Sequence, residues 1–301
     1  MTDCRDRQAP GKCLGPSIAW GLSALAILVV AAGCLADDAA QGAAADFGVE
    51  TQEPRDGGQA SSGDARVDAI LDRLEVKGRA IKGLKCKLTY RYVTVVPVES
   101  VQVKEGELLY SHGEPNSQFL VHFNRLIADG VVQQTGEFFA FDGRWVTERN
   151  DKTKKVVRKE IVREGERMDA FKLGKGPFIL PFGQRREDIL RNFRVKMADF
   201  TLGDPRGSDH LNCVPLPNTE LAEKYTRVEI FVDRRLELPV RIVTERISDG
   251  NRIEVDFKEI DTQEAPAGSR FRVEAPAGFE VVVEPLPART SPAAGLGGDK
   301  E

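Results

Sequence analysis

Residues 225–257 constrain this chain more than any other stretch, because they spell three strands and two tight connections. Val228, Ile230 and Val232 alternate with polar neighbours, and so do Val240 and Ile242, then Ile253, Val255 and Phe257. Period-two alternation of this kind marks strands with one apolar and one wet face. Asp249-Gly250 between the second and third runs is a type I′ hairpin signal, since both central residues of that turn need positive φ. An antiparallel meander with one charged face and one apolar face follows, and the apolar face needs a cover.

The rest of the chain extends the same pattern. Asp64 is the expected N-cap of a helix over residues 64–82, with Val67, Ile70, Leu71 and Leu74 on one stripe and Gly83 as its stop. Strands are predicted over 84–96, 101–110 and 118–123, with Pro97 ending the first. A further hairpin over 138–146 pivots on Asp142-Gly143, and final strands are expected at 271–273 and 279–283. Residues 164–172 and 185–193 are expected helices, the latter burying Ile189, Leu190 and Phe193, and 203–217 reads as a loop. The fold class is therefore α+β, a curved antiparallel sheet or unclosed β-barrel with helices covering the concave face.

The two ends of the chain read differently. Arg5, Arg7 and Lys12 precede an apolar run over residues 18–32, the shape of an export signal occupying residues 1–36. The run is short for a bilayer, which takes about 20 apolar residues. Two processing readings stand side by side: lipidation of Cys34 after Ala31-Ala32-Gly33, or cleavage after Ala36. Residues 37–63 read as a disordered linker, 64–288 as one folded domain and 289–301 as a flexible tail. Export places Cys86 and Cys213 in an oxidising compartment, where they either pair as a disulfide or remain two free thiols.

Bulk charge argues against nucleic acid as a partner, the formal net charge being −4. Chemistry-bearing motifs are sparse. His112, His122 and His210 show no metal-ligand spacing, so neither a metal nor a cofactor is expected. Ser208-Asp209-His210 are neighbours in sequence and read as a polar turn, not a nucleophile with its base. Glu164, Glu166, Glu187 and Asp188 read as surface carboxylates, and the Lys152 to Lys159 run as a solvated face or a contact for anionic headgroups. No catalytic residue is expected.

The order of parts carries a resemblance. An export signal, an N-terminal helix and a long meander with Phe141-Asp142-Gly143-Arg144-Trp145 come first. Leu238-Pro239, the run from Gly250 to Phe257, then Phe271 and Pro276-Ala277-Gly278-Phe279-Glu280-Val281 complete it. Together these resemble the outer-membrane lipoprotein carrier family, LolA/LolB-like, over residues 64–285. The resemblance implies an apolar concavity that holds acyl chains of lipoproteins or lipid without covalent chemistry. Exported proteins of similar fold instead act as envelope sensors on a membrane-protein partner, and that reading stands as the alternative. The basic run and the loop from Gly174 to Gly183 have no counterpart in the family pattern. Candidate ligand-binding residues are Phe119, Val121, Phe123, Trp145, Val228, Ile230, Ile242, Val255 and Phe257, with acyl burial stabilising by ~0.8 kcal/mol per CH₂.

Overall fold

The computed structural model describes residues 61–95, 97–167, 182 and 184–287. Cys34, the export signal, nearly all of the linker and the C-terminal tail lie outside them, as do the Gly174 to Gly183 loop apart from Phe182 and most of the expected 164–172 helix. The described chain is one twelve-stranded sheet with two α-helices, α1 (Ala65–Ala80) and α2 (Arg186–Asn192).

Two meanders meet at the middle of the sheet. The first is β1 (Gly83–Thr94), β2 (Ser100–Ser111), β3 (Gln118–Ala128), β4 (Val131–Phe141), β5 (Trp145–Asn150) and β6 (Lys155–Glu160). The second is β7 (Phe193–Met197), β8 (Ser208–Pro215), β9 (Tyr225–Asp233), β10 (Leu238–Arg246) and β11 (Arg252–Asp261). β1 pairs with β11, so the order runs β12-β6-β5-β4-β3-β2-β1-β11-β10-β9-β8-β7 and the sheet stays open. Every pair is antiparallel except β12 (Glu280–Glu284), which joins β6 in parallel. That parallel edge departs from the all-antiparallel expectation. Its cause is the crossover after β11: a 3₁₀ turn, Gly268–Phe271, drives Phe271 into a small apolar cluster with Leu109, Leu120 and Ala140 on the outer face. Residues 271–273 are consequently not the strand that the sequence suggested.

Local chemistry sets the elements. The Asp64 carboxylate accepts from the Arg66 N–H at 2.8 Å, capping α1, and the Val67, Ile70, Leu71 and Leu74 stripe is buried. α1 ends at Ala80, earlier than expected, because Ile81 turns extended and enters the core. Bulges interrupt β3, β4, β9, β10 and β11 and give the sheet local bends. Opposite the β3 bulge a Cβ on Gly106 would meet the His122 carbonyl oxygen at 1.9 Å, so only glycine allows the strands to approach there. Another bulge, at Pro239/Arg241, takes Val240 out of the alternation.

Turn chemistry differs from expectation. Only the glycine of Asp249-Gly250 and of Asp142-Gly143 has positive φ. At the second pair the Asp142 carboxylate accepts from the Arg144 and Trp145 N–H groups and shapes a wider loop. The two-residue turn with positive φ at both positions is Asp129-Gly130, closing β3 onto β4. Three strands were not anticipated: β7, directly after the expected 185–193 helix, β8, inside the expected 203–217 loop, and β6, inside the basic run. Residues 164–167 form a turn and no helix.

Candidate functional site

The inner face of the sheet carries a continuous apolar surface. From β3 come Phe119, Val121 and Phe123, from β4 Phe139 and Phe141, and from β1 Leu84, Cys86, Leu88 and Tyr90. The second meander adds Val228, Val232, Ile242, Ile253 and Phe257, with Ile230 and Val255 packed alongside. Register explains the grouping: Phe257 lies opposite Leu88, Val255 opposite Tyr90, and Ile242 between Val255 and Ile230. Aromatic rings run across strands, Tyr90 meeting Phe123 edge to face at 5.9 Å and Phe123 meeting Phe139 at 6.4 Å.

Eight of the nine candidate residues therefore share this face, and Trp145 does not. Val146 faces inward opposite Phe141, so its neighbour Trp145 points to the outer face, under the guanidinium of Arg158 at 5.2 Å. Sequence could not separate the two, because an apolar pair at a strand start fits either register.

Helical cover is unequal. α1 packs against α2, β7 and β10, so it lies over the second meander. Phe182 meets Phe257 edge to face at 5.2 Å. Helix α2 is docked on α1 by Arg186, whose Nη1 is 2.8 Å from Asp72 Oδ1 and whose backbone N–H donates to Glu75.

Polar groups on the inner face are few. Lys104 and Glu137, with side chains 10% and 11% exposed, form an ion pair at 2.5 Å, and the Lys104 ammonium lies 5.9 Å from the Phe123 ring centre. Glu148 faces inward opposite Phe139; burial first, then the Glu284 carboxylate, push its carboxyl above the usual range, while Lys159 opposes the shift. Cys86 and Cys213 are free and buried, on strands separated by three others. Burial pushes both thiols up to about 12.

The polar residues singled out in the sequence are dispersed. Asp209 faces inward and pairs with Arg234 and with Arg73 of α1, whereas Ser208 donates to the Pro205 carbonyl. His210 faces outward between Asp204, at 3.3 Å, and Glu229, at 3.5 Å, stacked on Phe231. Glu164 pairs with Arg144, Glu187 with Arg191, and Asp188 with Arg185 and Arg191. The basic run is part of β6, where Lys155 and Lys159 face Glu280 and Glu284 of β12. Among the described residues no group of three or more His, Cys, Asp and Glu could hold a metal ion, and no helix is long and apolar enough to cross a membrane.

No protein-family model and no curated protein matches the chain. Solved structures similar to it include an uncharacterized conserved protein from Thermus thermophilus, at 11% identity and TM-score 0.42, over 73% of this chain and 99% of that one. The MucA/MucB complex of Pseudomonas aeruginosa is similar at 15% identity and TM-score 0.36, over 70% of this chain and 62% of that one. The LolA superfamily protein NE2245 from Nitrosomonas europaea is similar at 11% identity and TM-score 0.31, over 68% of this chain and 97% of that one, and it belongs to the superfamily that the sequence resembles.

Proposed function

We propose that this chain is an exported, non-catalytic binding protein that holds acyl chains of a lipid or lipoprotein against the inner face of its open sheet. The observation that carries the reading is the extent of that face. It runs unbroken from Phe141 on β4 to Cys213 on β8 and is aromatic over the first meander, whereas α1 packs over the second. Acyl chains gain ~25 cal/mol per Å² of apolar surface removed from water; the rings spaced across these strands are buried in this structure, Phe119 0% and Phe123 1% exposed, so acyl chains take the place of their present cover. The ligand-contacting set in this reading is Phe119, Val121, Phe123, Val228, Ile230, Ile242, Val255 and Phe257. Trp145 is left out of it, because it lies on the other face.

The N-terminal sequence adds the compartment: the apolar run after Arg5, Arg7 and Lys12 directs export, with the folded part tethered through residues 37–63 or released. The partner class is acyl chains, and the fold needs no cofactor for it.

Native mass spectrometry of protein purified from its own envelope tests the reading. Lipid or lipoprotein acyl chains should co-purify at one or a few per chain and be displaced by a fluorescent fatty acid. Protein that is consistently empty, and that takes up no fluorescent fatty acid after delipidation, overturns it. A stoichiometric membrane protein with no lipid would instead select the sensor role.

A further inference from the structure

The outer face carries a separate cleft of about 570 Å³, walled by β5, β6, β12 and residues 272–275 of the crossover segment. We infer that this cleft binds a small amphiphilic oxyanion, a phosphate monoester or carboxylate on an apolar body, through Arg158 and Arg272 with Trp145 as its aromatic wall. The inference is independent of acyl binding on the inner face.

Arg158 is the informative residue. Its Nε is enclosed yet has no hydrogen-bond partner, and its guanidinium has no carboxylate among the described residues, only the ring of Trp145 at 5.2 Å. Arg158 as a whole is half-buried, but an enclosed N–H donor without a partner is costly, so a fold that keeps one at a cleft wall leaves a position for an incoming acceptor. Neighbouring arginines are not in this condition. Arg144 is held by Glu160 and Glu164, and Arg149 by Asp151.

Two carboxylates share the lining, Asp142 and Glu274, and the first is already engaged, as is Glu160 nearby. Asp142 accepts from two backbone N–H groups and Glu160 from Arg144 and the Leu286 N–H, while Glu274 is exposed and gives its carbonyl to Arg149. Arg272, also on the wall, has no carboxylate partner among the described residues. Two arginines that line one opening, half-buried Arg158 and exposed Arg272, suit an oxyanion, which accepts from the planar fork in pairs.

The remaining wall defines the other half of the ligand. Val156, Val273 and Val281 are apolar, and Trp145 presents a flat aromatic surface. Inorganic phosphate would satisfy the arginines and leave this surface wet. An anion attached to an aryl or short alkyl group would meet both, and it could be a soluble metabolite or the headgroup end of a lipid.

Trp145 reports on its own site, since Trp20 is the only other tryptophan and can be removed by Trp20→Phe. In that background, phenyl phosphate and dihexanoyl phosphatidate below its micelle concentration are titrated against tryptophan emission, with phenol and inorganic phosphate as controls. A saturable change is expected with at least one of the two amphiphilic anions, at least tenfold tighter than with either control. Preference for phenyl phosphate selects a soluble ligand, and preference for the phosphatidate selects a headgroup. Arg158→Gln should weaken binding at least tenfold and Arg158→Lys less, because the charge survives without the fork. If Arg158→Gln fails to fold, Arg272→Gln must show the same loss. An unchanged dissociation constant in the folded arginine variants, or no saturable response to either anion, overturns the site.

Discussion

Arg186 Nη1 sits 2.8 Å from Asp72 Oδ1, and this contact joins the two helices across 114 residues of sequence. Nη2 of the same guanidinium lies 3.2 Å from Asp68, so one arginine spans successive turns of the acidic edge of α1. Its side chain is 10% exposed, which reduces solvent screening of the pair. Arg186→Met should destabilise the protein by about 1.5–3 kcal/mol, the range for hydrogen bonds to charged groups. Urea unfolding measures it; Asp72→Asn, at an acceptor 48% exposed, should cost less.

The Lys104 and Glu137 pair makes a stronger demand, because both side chains are about one-tenth exposed. Removing one partner leaves a buried charge, and Lys104→Met or Glu137→Leu alone should cost about 3–5 kcal/mol. The double substitution should recover most of that loss, since a well-packed apolar pair replaces a buried ion pair at little cost. A double variant that loses the sum of the two single losses would show that the pair is not coupled.

The meander over β9 to β11 was legible in the sequence because one face is apolar and the other is wet with ion pairs such as Arg241 to Asp256 and Arg91 to Glu254. The same clarity gave α1 its cap and stripe. β6 escaped because Val156 and Val157 are adjacent, one facing β12 on the outer side and the other inward, so no period of two is written. β8 does alternate, with Leu211 and Cys213 inward, but Gly203, Pro205, Gly207, Pro215 and Pro217 surround it with loop signals. The outer cleft was invisible for a different reason: Trp145, Arg158 and Arg272 meet only after the crossover lays residues 272–275 over the sheet.

Glu148 supplies a pH dependence with a definite sign. Its folded-state carboxyl is raised, chiefly by burial, so the protonated form is favoured in the folded protein. The associated stability is fully present below the unfolded pKa of ordinary glutamate and is lost as pH rises through the raised folded value. Glu148→Gln should therefore stabilise at neutral pH and leave stability unchanged at acid pH. Melting temperatures of both proteins between pH 4 and 8 should diverge as pH rises; parallel curves would refute the assignment.

Cys86 and Cys213, held at about 12 by burial, should be inert in the folded protein. Iodoacetamide at pH 8 should modify neither until denaturant is added, when both react. Mass spectrometry of the labelled peptides distinguishes this from a disulfide, which would block both even after unfolding.

Phe271 tests whether the two faces of the sheet are separable. Its ring is 1% exposed and anchors the crossover against Leu109, Leu120 and Ala140, away from the larger core. Phe271→Ala should cost about 3–5 kcal/mol, the usual range for deleting a buried ring. It should also loosen residues 272–275, the wall that brings Arg272 to the outer cleft, and weaken binding of an amphiphilic anion there. Acyl binding on the inner face rests on β1, β3, β4 and the second meander and should persist in the folded fraction. Parallel titrations of phenyl phosphate and a fluorescent fatty acid on this variant should thus part company, and equal loss of both would mean that the two faces act as one site.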